Sequence, residues 1–262
     1  MSKSFCYLVQ AASDFKASVL GLESPDADLQ LLTFKRPYPG AIHAPGSSWN
    51  QGRNRLLEEA GKRGGDYLYY VLLDDDVEFD QGDFRSFETF LKQVRPAIGT
   101  PRQWDYNHRC EHLDLPLHSV YAFDACFNAF HRDVVEDGLL FPYVEQFDHE
   151  SWWYSQVLMI HLANFLYGGR IVQDNGTRIR NGTNDGTGTN YPHDNKFSKV
   201  EAWLFDQLLA SGTDRGWFRP HPHASRSAEV SVPSAMPQSH RLDMRAMEGR
   251  FRPAWWAARP SR

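Results

Sequence analysis

A chain of 262 residues with 41% hydrophobic and 14% aromatic residues can bury one large α/β core, so its bulk is not a disordered segment. A formal net charge of −5 disfavours a general nucleic-acid binder, which needs a basic surface to displace the counterions around phosphates. Three scattered cysteines, Cys6, Cys110 and Cys126, form no CxxC pair; they argue against a structural zinc site and suit a reducing compartment.

The opening residues, Met1 to Gln10, hold no long apolar stretch of the signal-peptide kind. The most apolar later run, Val157–Tyr167, is too short to span a bilayer and contains His161 and Asn164. A soluble, cytoplasmic protein without a transmembrane segment is therefore expected.

Phe5–Val9 is the first expected strand, ended by the small, polar turn Gln10-Ala11-Ala12-Ser13-Asp14. Leu29–Phe34 is a second strand, and the Pro/Gly-rich stretch Arg36–Gly46 a loop. A helix is predicted through Gln51–Ala60, capped by Ser48 or Asn50 and stopped by Gly61, Gly64 and Gly65. Tyr67–Leu73 is apolar without alternation, as in a central strand buried on both faces. Asp83–Val94 has helical spacing, Pro96–Gly99 reads as a short strand, and Val120–Phe130 is an apolar segment holding Asp124 and Asn128. Glu150–Tyr167 reads as a helix and Arg170–Gln173 as a final strand. This order predicts a single open, mostly parallel α/β sheet flanked by helices.

Asp174–Tyr191, dense in Gly, Asn and Thr, reads as a long loop or a set of tight turns of the kind that forms lids, and Phe197–Leu209 as a last helix. From Arg219 onward arginines far outnumber Glu229, Asp243 and Glu248 among Pro, Ser and His. The expected organisation is a catalytic unit at 1–216 and a basic, weakly ordered tail at 217–262. Such a stretch reads first as a disordered, solubilising tail; the alternative is contact with an anionic membrane surface, an acidic glycan or nucleic acid.

Three carboxylates, Asp74-Asp75-Asp76, follow the apolar strand. In extended backbone Asp74 and Asp76 point one way and Asp75 the other. Adjacent anions at a sheet end raise one another's pKa, and a hard divalent cation relieves the repulsion while binding substrate phosphate. The carboxyl ends of strands are also where open α/β sheets place ligands. A cap in a solvated turn is the plainer alternative.

Gly52-Arg53-Asn54 on a helix, then Ala60, a Gly break, an apolar strand and Leu73-Asp74-Asp75-Asp76 resemble the nucleotide-sugar-binding half of GT-A-fold glycosyltransferases. Family-2-type enzymes of that group show Ala-Arg-Asn, a helix, Gly, a hydrophobic strand and Leu-Asp-x-Asp-Asp. The likeness covers Phe5–Asp76 and, more loosely, Asp124–Val172; the Pro-x-Tyr/Phe-Asn opening usual after the first strand is absent. The resemblance implies a Rossmann-like sheet with a nucleotide-sugar-binding half at 1–100 and an acceptor half at 101–216. It implies a UDP- or GDP-linked donor and a hydroxyl acceptor on a glycan or another molecule. Mn2+ or Mg2+, held by Asp76 with help from Asp74, would bridge the donor diphosphate. Arg53 would lie near the phosphates or sugar, Gln10, Ala11 and Asp14 would face base and ribose, and Asp74 and Asp75 would complete the donor site.

In inverting enzymes of this fold an Asp or Glu at the start of a helix after the acceptor-side strands is the general base. Asp148 and Glu150 both fit, Asp148 better, although an Asp capping a core-packed helix looks the same in sequence. Trp152 and Trp153 beside them suit stacking on an acceptor sugar, and Asp124 suits contact with sugar hydroxyls. His193 is a further candidate metal ligand. Two other classes compete. A nucleotidyltransferase fits less well because Gln10–Lys16 has no glycine, and a non-catalytic carbohydrate-binding module leaves the three carboxylates unexplained.

Overall fold

A computed structural model describes residues 3–103, 115–136, 138, 140–167, 169–182, 199, 200, 202–204 and 206. The chain opens with β1 (Phe5–Ala11), the one-turn helix α1 (Ala17–Leu20), β2 (Ala27–Thr33) and the short β3 (Ile42–His43). Helix α2 (Trp49–Arg63) leads into β4 (Tyr69–Asp74) and β5 (Val77–Gln81). Helix α3 (Phe84–Val94) and β6 (Ile98–Gln103) follow. Next come β7 (Leu117–Ser119), β8 (Phe127–His131), α4 (Arg132–Glu136), α5 (Trp153–Tyr167) and β9 (Ile171–Asn181).

One open sheet runs β3-β2-β1-β4-β8-β6-β9-β5, with β7 beside β9. The expected parallel pairing describes its first half, where β3, β2, β1 and β4 are parallel neighbours. Beyond β4 the sheet is mixed: β8 is antiparallel to β4 and β6, β6 and β9 are parallel, and β5 and β7 are antiparallel to β9. Helices cover both faces. On one, Leu8, Leu32 and Leu72 pack with Leu56 of α2 and Leu158 of α5. On the other, Tyr7, Val9, Val71 and Leu73 pack with Val19 of α1 and Phe87 and Leu91 of α3.

Helix α2 begins as its sequence dictates. Ser48 closes a capping box with Gln51: its hydroxyl accepts from the Gln51 N–H, and the Gln51 side chain accepts from the Ser48 N–H. Such a cap is worth about 1 kcal/mol. At the other end Gly64 adopts the left-handed conformation that terminates helices.

Two further segments differ from what was expected. Residues 174–181 are strand, not loop, because β9 is paired on both sides, by β6 and β7 and then by β5. The polar residues are satisfied within it: Thr177 Oγ1 donates to Asp174 (2.6 Å) and Gln173 Nε2 to Asn175 (2.7 Å). Val120–Phe130 is strand only from Phe127; Asp124 precedes it in an irregular connection. Among the described residues no helix is long and apolar enough to cross a membrane. The expected tail, 217–262, lies outside the described residues.

Candidate active site

The chain runs from β1 to β2 on one side and returns through α2 to β4 on the other, so β1 is the point where strand order reverses. Open α/β sheets bind ligands in the crevice at the carboxyl ends of such strands. Gln10 and Asp74 are register partners at that point. Asp74 closes β4, while Asp75 and Asp76 form the turn into β5. The expectation that Asp74 and Asp76 share a face as strand neighbours therefore does not apply, because the chain leaves the extended conformation after Asp74.

Asp74 faces α2. Its Oδ1 accepts from the Arg53 guanidinium and from Trp49 Nε1 (3.2 Å). The Arg53 side chain is only 1% exposed and that of Asp74 21%, so the pair is sealed from the Arg53 side. The guanidinium lies 4.2 Å from the Trp49 ring centre, a cation–π contact in a dry setting. Its Nε and Nη1 groups have no hydrogen-bond partner among the described residues; neither do Gln10 Oε1 and the Tyr143 hydroxyl. Gly52 makes room for Gln10, since a Cβ there would stand 2.4 Å from Gln10 Oε1.

The carboxylates are shifted chiefly by burial, with their mutual crowding a smaller contribution. Burial, with the charge of Asp76 adding and Arg53 opposing, pushes the Asp74 carboxyl up to about 6. Burial and Asp76 push Asp75 to about 6 as well. Asp124, expected on the acceptor side, joins this cluster: its carboxyl is raised by burial, accepts from the Cys126 N–H (2.9 Å), and feels the Arg53 charge. Burial first, then Asp124, Asp74 and Asp76, drive the Cys126 thiol well above its usual range, which removes it as a nucleophile.

The segment carrying Asp148 is pinned to the same helix. Asn54 donates to the Tyr143 carbonyl (3.0 Å) and to Glu145 (2.7 Å), and accepts from the Tyr143 N–H (2.7 Å). Asp148 accepts from the Ser48 hydroxyl through Oδ2 and from the Asn50 amide through Oδ1. Asn50 also donates to the Trp152 carbonyl (3.2 Å). Trp49 stacks on Trp152 with ring centres 4.7 Å apart, so one face of Trp152 is already covered. Trp153 meets Trp152 edge-on and packs on the core as the first residue of α5.

The other residues singled out from sequence separate. Ala11 points into the core of the opposite sheet face, and Asp14 is exposed and paired with Arg36 at 3.1 Å. Glu150 forms an ion pair with Lys199, which favours Asp148 as the carboxylate nearer α2. His193 lies outside the described residues. Sequence reasoning missed Trp49, Tyr143 and Lys16. Lys16 donates to the Asp76 carbonyl (3.2 Å) and to Glu78 (3.0 Å), placing a cation at the carboxylate turn. Gly182, at the end of β9, closes the turn from the other side: its N–H donates to the Asp76 carbonyl (2.9 Å), and a Cβ would stand 2.5 Å from that oxygen. The one legible signal for Trp49 was its place between Ser48 and Asn50, both already singled out as caps.

The fold is a GT-A-like α/β arrangement: a large open sheet with a carboxylate turn at its reversal point. Similar solved structures include S. aureus TarS residues 1–349, with TM-score 0.54, 8% identity, 79% of this chain and 65% of that chain covered. The same TarS segment in complex with UDP-GlcNAc aligns with TM-score 0.51, 8% identity, 79% of this chain and 66% of that chain covered. This chain thus spans slightly under two thirds of the TarS chains. At that identity the likeness shows the fold alone. No protein-family model matches the chain, and no curated protein does.

Proposed function

We propose that this chain is a family-2-like glycosyltransferase that moves a sugar from a UDP- or GDP-linked donor to a hydroxyl acceptor. The observation that carries the reading is the carboxylate turn Asp74-Asp75-Asp76 at the carboxyl end of β4, beside Gln10 at the reversal point of the sheet. The unpartnered buried atoms of Gln10 and Tyr143 support a polar ligand there, because such groups are rarely left unsatisfied. UDP-GlcNAc, bound in one of the similar structures, is the first donor to test.

Among the described residues no three His, Cys, Asp or Glu side chains converge on one point. Two crowded carboxylates completed by diphosphate oxygens and water still suit Mn2+ or Mg2+, which are commonly held by one or two protein carboxylates. Asp76, helped by Asp74, would hold the metal, which would neutralise charge on the departing nucleoside diphosphate. Arg53 would act on the donor through Asp74, by fixing its orientation and balancing its charge. Asp148 would take the proton from the acceptor hydroxyl as that oxygen attacks the anomeric carbon and the bond to the diphosphate oxygen breaks. Donor contacts would come chiefly from 1–100 and acceptor contacts from 101–216, with tail 217–262 as a surface anchor and a cytoplasmic setting.

Asp76→Ala is expected to lower metal-dependent donor hydrolysis by about 10²–10³-fold, the usual cost of losing one group that stabilises the transition-state charge. Release of nucleoside diphosphate, followed with Mn2+ and with EDTA, checks this. Full activity in EDTA, or in the variant, rejects the metal role.

A further inference from the structure

The first turn of α2 holds Asp148 from two sides, and this suggests a role for residues that the proposed function leaves unused. Ser48, the N-cap, and Asn50, two residues on, donate one hydrogen bond to each carboxylate oxygen. Asn50 is completely buried, and its amide nitrogen faces two acceptors, Asp148 Oδ1 and the Trp152 carbonyl. Only the NH2 end of the amide can serve both, so its orientation is fixed by chemistry. A carboxylate offers about four lone-pair positions. Two are taken here, which locks the plane of the carboxylate and leaves the others to accept a proton. The residue between the two donors, Trp49, hydrogen-bonds Asp74. One turn of helix thus fixes Asp148 relative to the donor-side carboxylate.

We infer that Ser48 and Asn50 are positioning residues for Asp148, acting through it rather than on substrate; this rests on the reading of Asp148 as general base. Misplacing a catalytic group by about 1 Å costs on the order of 10²-fold in rate. Neither partner brings a charge to Asp148. Among the described residues, the titratable neighbours on its own segment are Glu145, held by Asn54, His149, and Glu150, which pairs with Lys199.

The test is a kinetic double-mutant cycle on the full chain. Ser48→Gly removes the hydroxyl while glycine still tolerates the cap position, and Asn50→Ala removes the second donor. Each is expected to lower kcat for transfer by about 10–100-fold, with donor KM and metal-dependent donor hydrolysis unchanged. Ser48→Thr, which keeps the hydroxyl, should restore most of the rate. In an Asp148→Asn background the same substitutions should have little further effect. Equal losses in that background, or parallel losses of donor hydrolysis, would show a purely structural role and overturn the inference. Wild-type transfer by Asp148→Asn alone would instead remove the general-base reading, and the positioning role with it.

Discussion

Asp148→Asn should leave nucleotide-sugar binding and metal-dependent donor hydrolysis near wild-type while transfer to the acceptor falls by about 10²–10⁴-fold, the range typical of a lost general base. The substitution is nearly isosteric. Its side-chain oxygen can still accept one of the two hydrogen bonds from Ser48 and Asn50, so the α2 contact is weakened and not lost. What disappears is the carboxylate that takes the acceptor's proton. Single-turnover transfer and hydrolysis rates, measured side by side, separate the two steps. If transfer and hydrolysis fall together, Asp148 serves the donor site or the fold; if neither falls, it is an anchor for α2 and nothing more.

The second large effect is on stability. Asp74→Ala should cost about 3–5 kcal/mol, because it strands a fully buried guanidinium that has lost its carboxylate. Arg53→Met should cost less. It removes the charge, refills most of the volume with an unbranched apolar chain, and leaves Asp74, with its side chain 21% exposed, partly hydrated. The order of the two effects, read from urea midpoints at equal m-value, is the test. If Arg53→Met is the more damaging, the ion pair is not what holds this corner together. The comparison also bears on function, since each variant removes one of the two contacts that hold Trp49, the hydrogen bond to Asp74 or the cation–π contact with Arg53.

The first half of the fold, β1 to β4, was legible because its signals are local. An unbroken apolar run before Asp74 marks a central strand, a Ser four residues before Gly52 caps a helix, and Gly64 stops it, although the helix runs through Gly61 where a stop was also expected. The resemblance to nucleotide-sugar enzymes rested on the same short stretch. The second half carries less local information. Residues 174–181 hold Asn, Gly and Thr, which favour turns, yet pairing with β5, β6 and β7 makes them strand. Strand β5 was missed for a related reason: its partner β9 lies about 100 residues on, as the Glu78–Arg180 pair illustrates with a separation of 102. The link between Asp148 and α2 was equally invisible, since Ser48 and Asp148 stand 100 residues apart. Asp148 itself was legible as a residue type before a helix, but not as one held by two donors. Asp14 and Ala11 show the opposite error: nearness to β1 in sequence suggested a shared site, whereas one is solvated and the other faces the far side of the sheet.

In the proposed function the turn Asp74-Asp75-Asp76, at the reversal point of the sheet, binds a nucleotide sugar together with a divalent metal. A thermal-shift panel of UDP- and GDP-sugars, with Mn2+ or with EDTA, tests it most directly, since a ligand that binds only the native state stabilises by about 2.7 kcal/mol at a hundredfold excess over Kd. At least one nucleotide sugar should raise the melting temperature with Mn2+, and the shift should vanish in EDTA and in Asp76→Ala. A shift that persists unchanged in EDTA and in the variant, or a panel in which nucleoside triphosphates stabilise and no nucleotide sugar does, would contradict it.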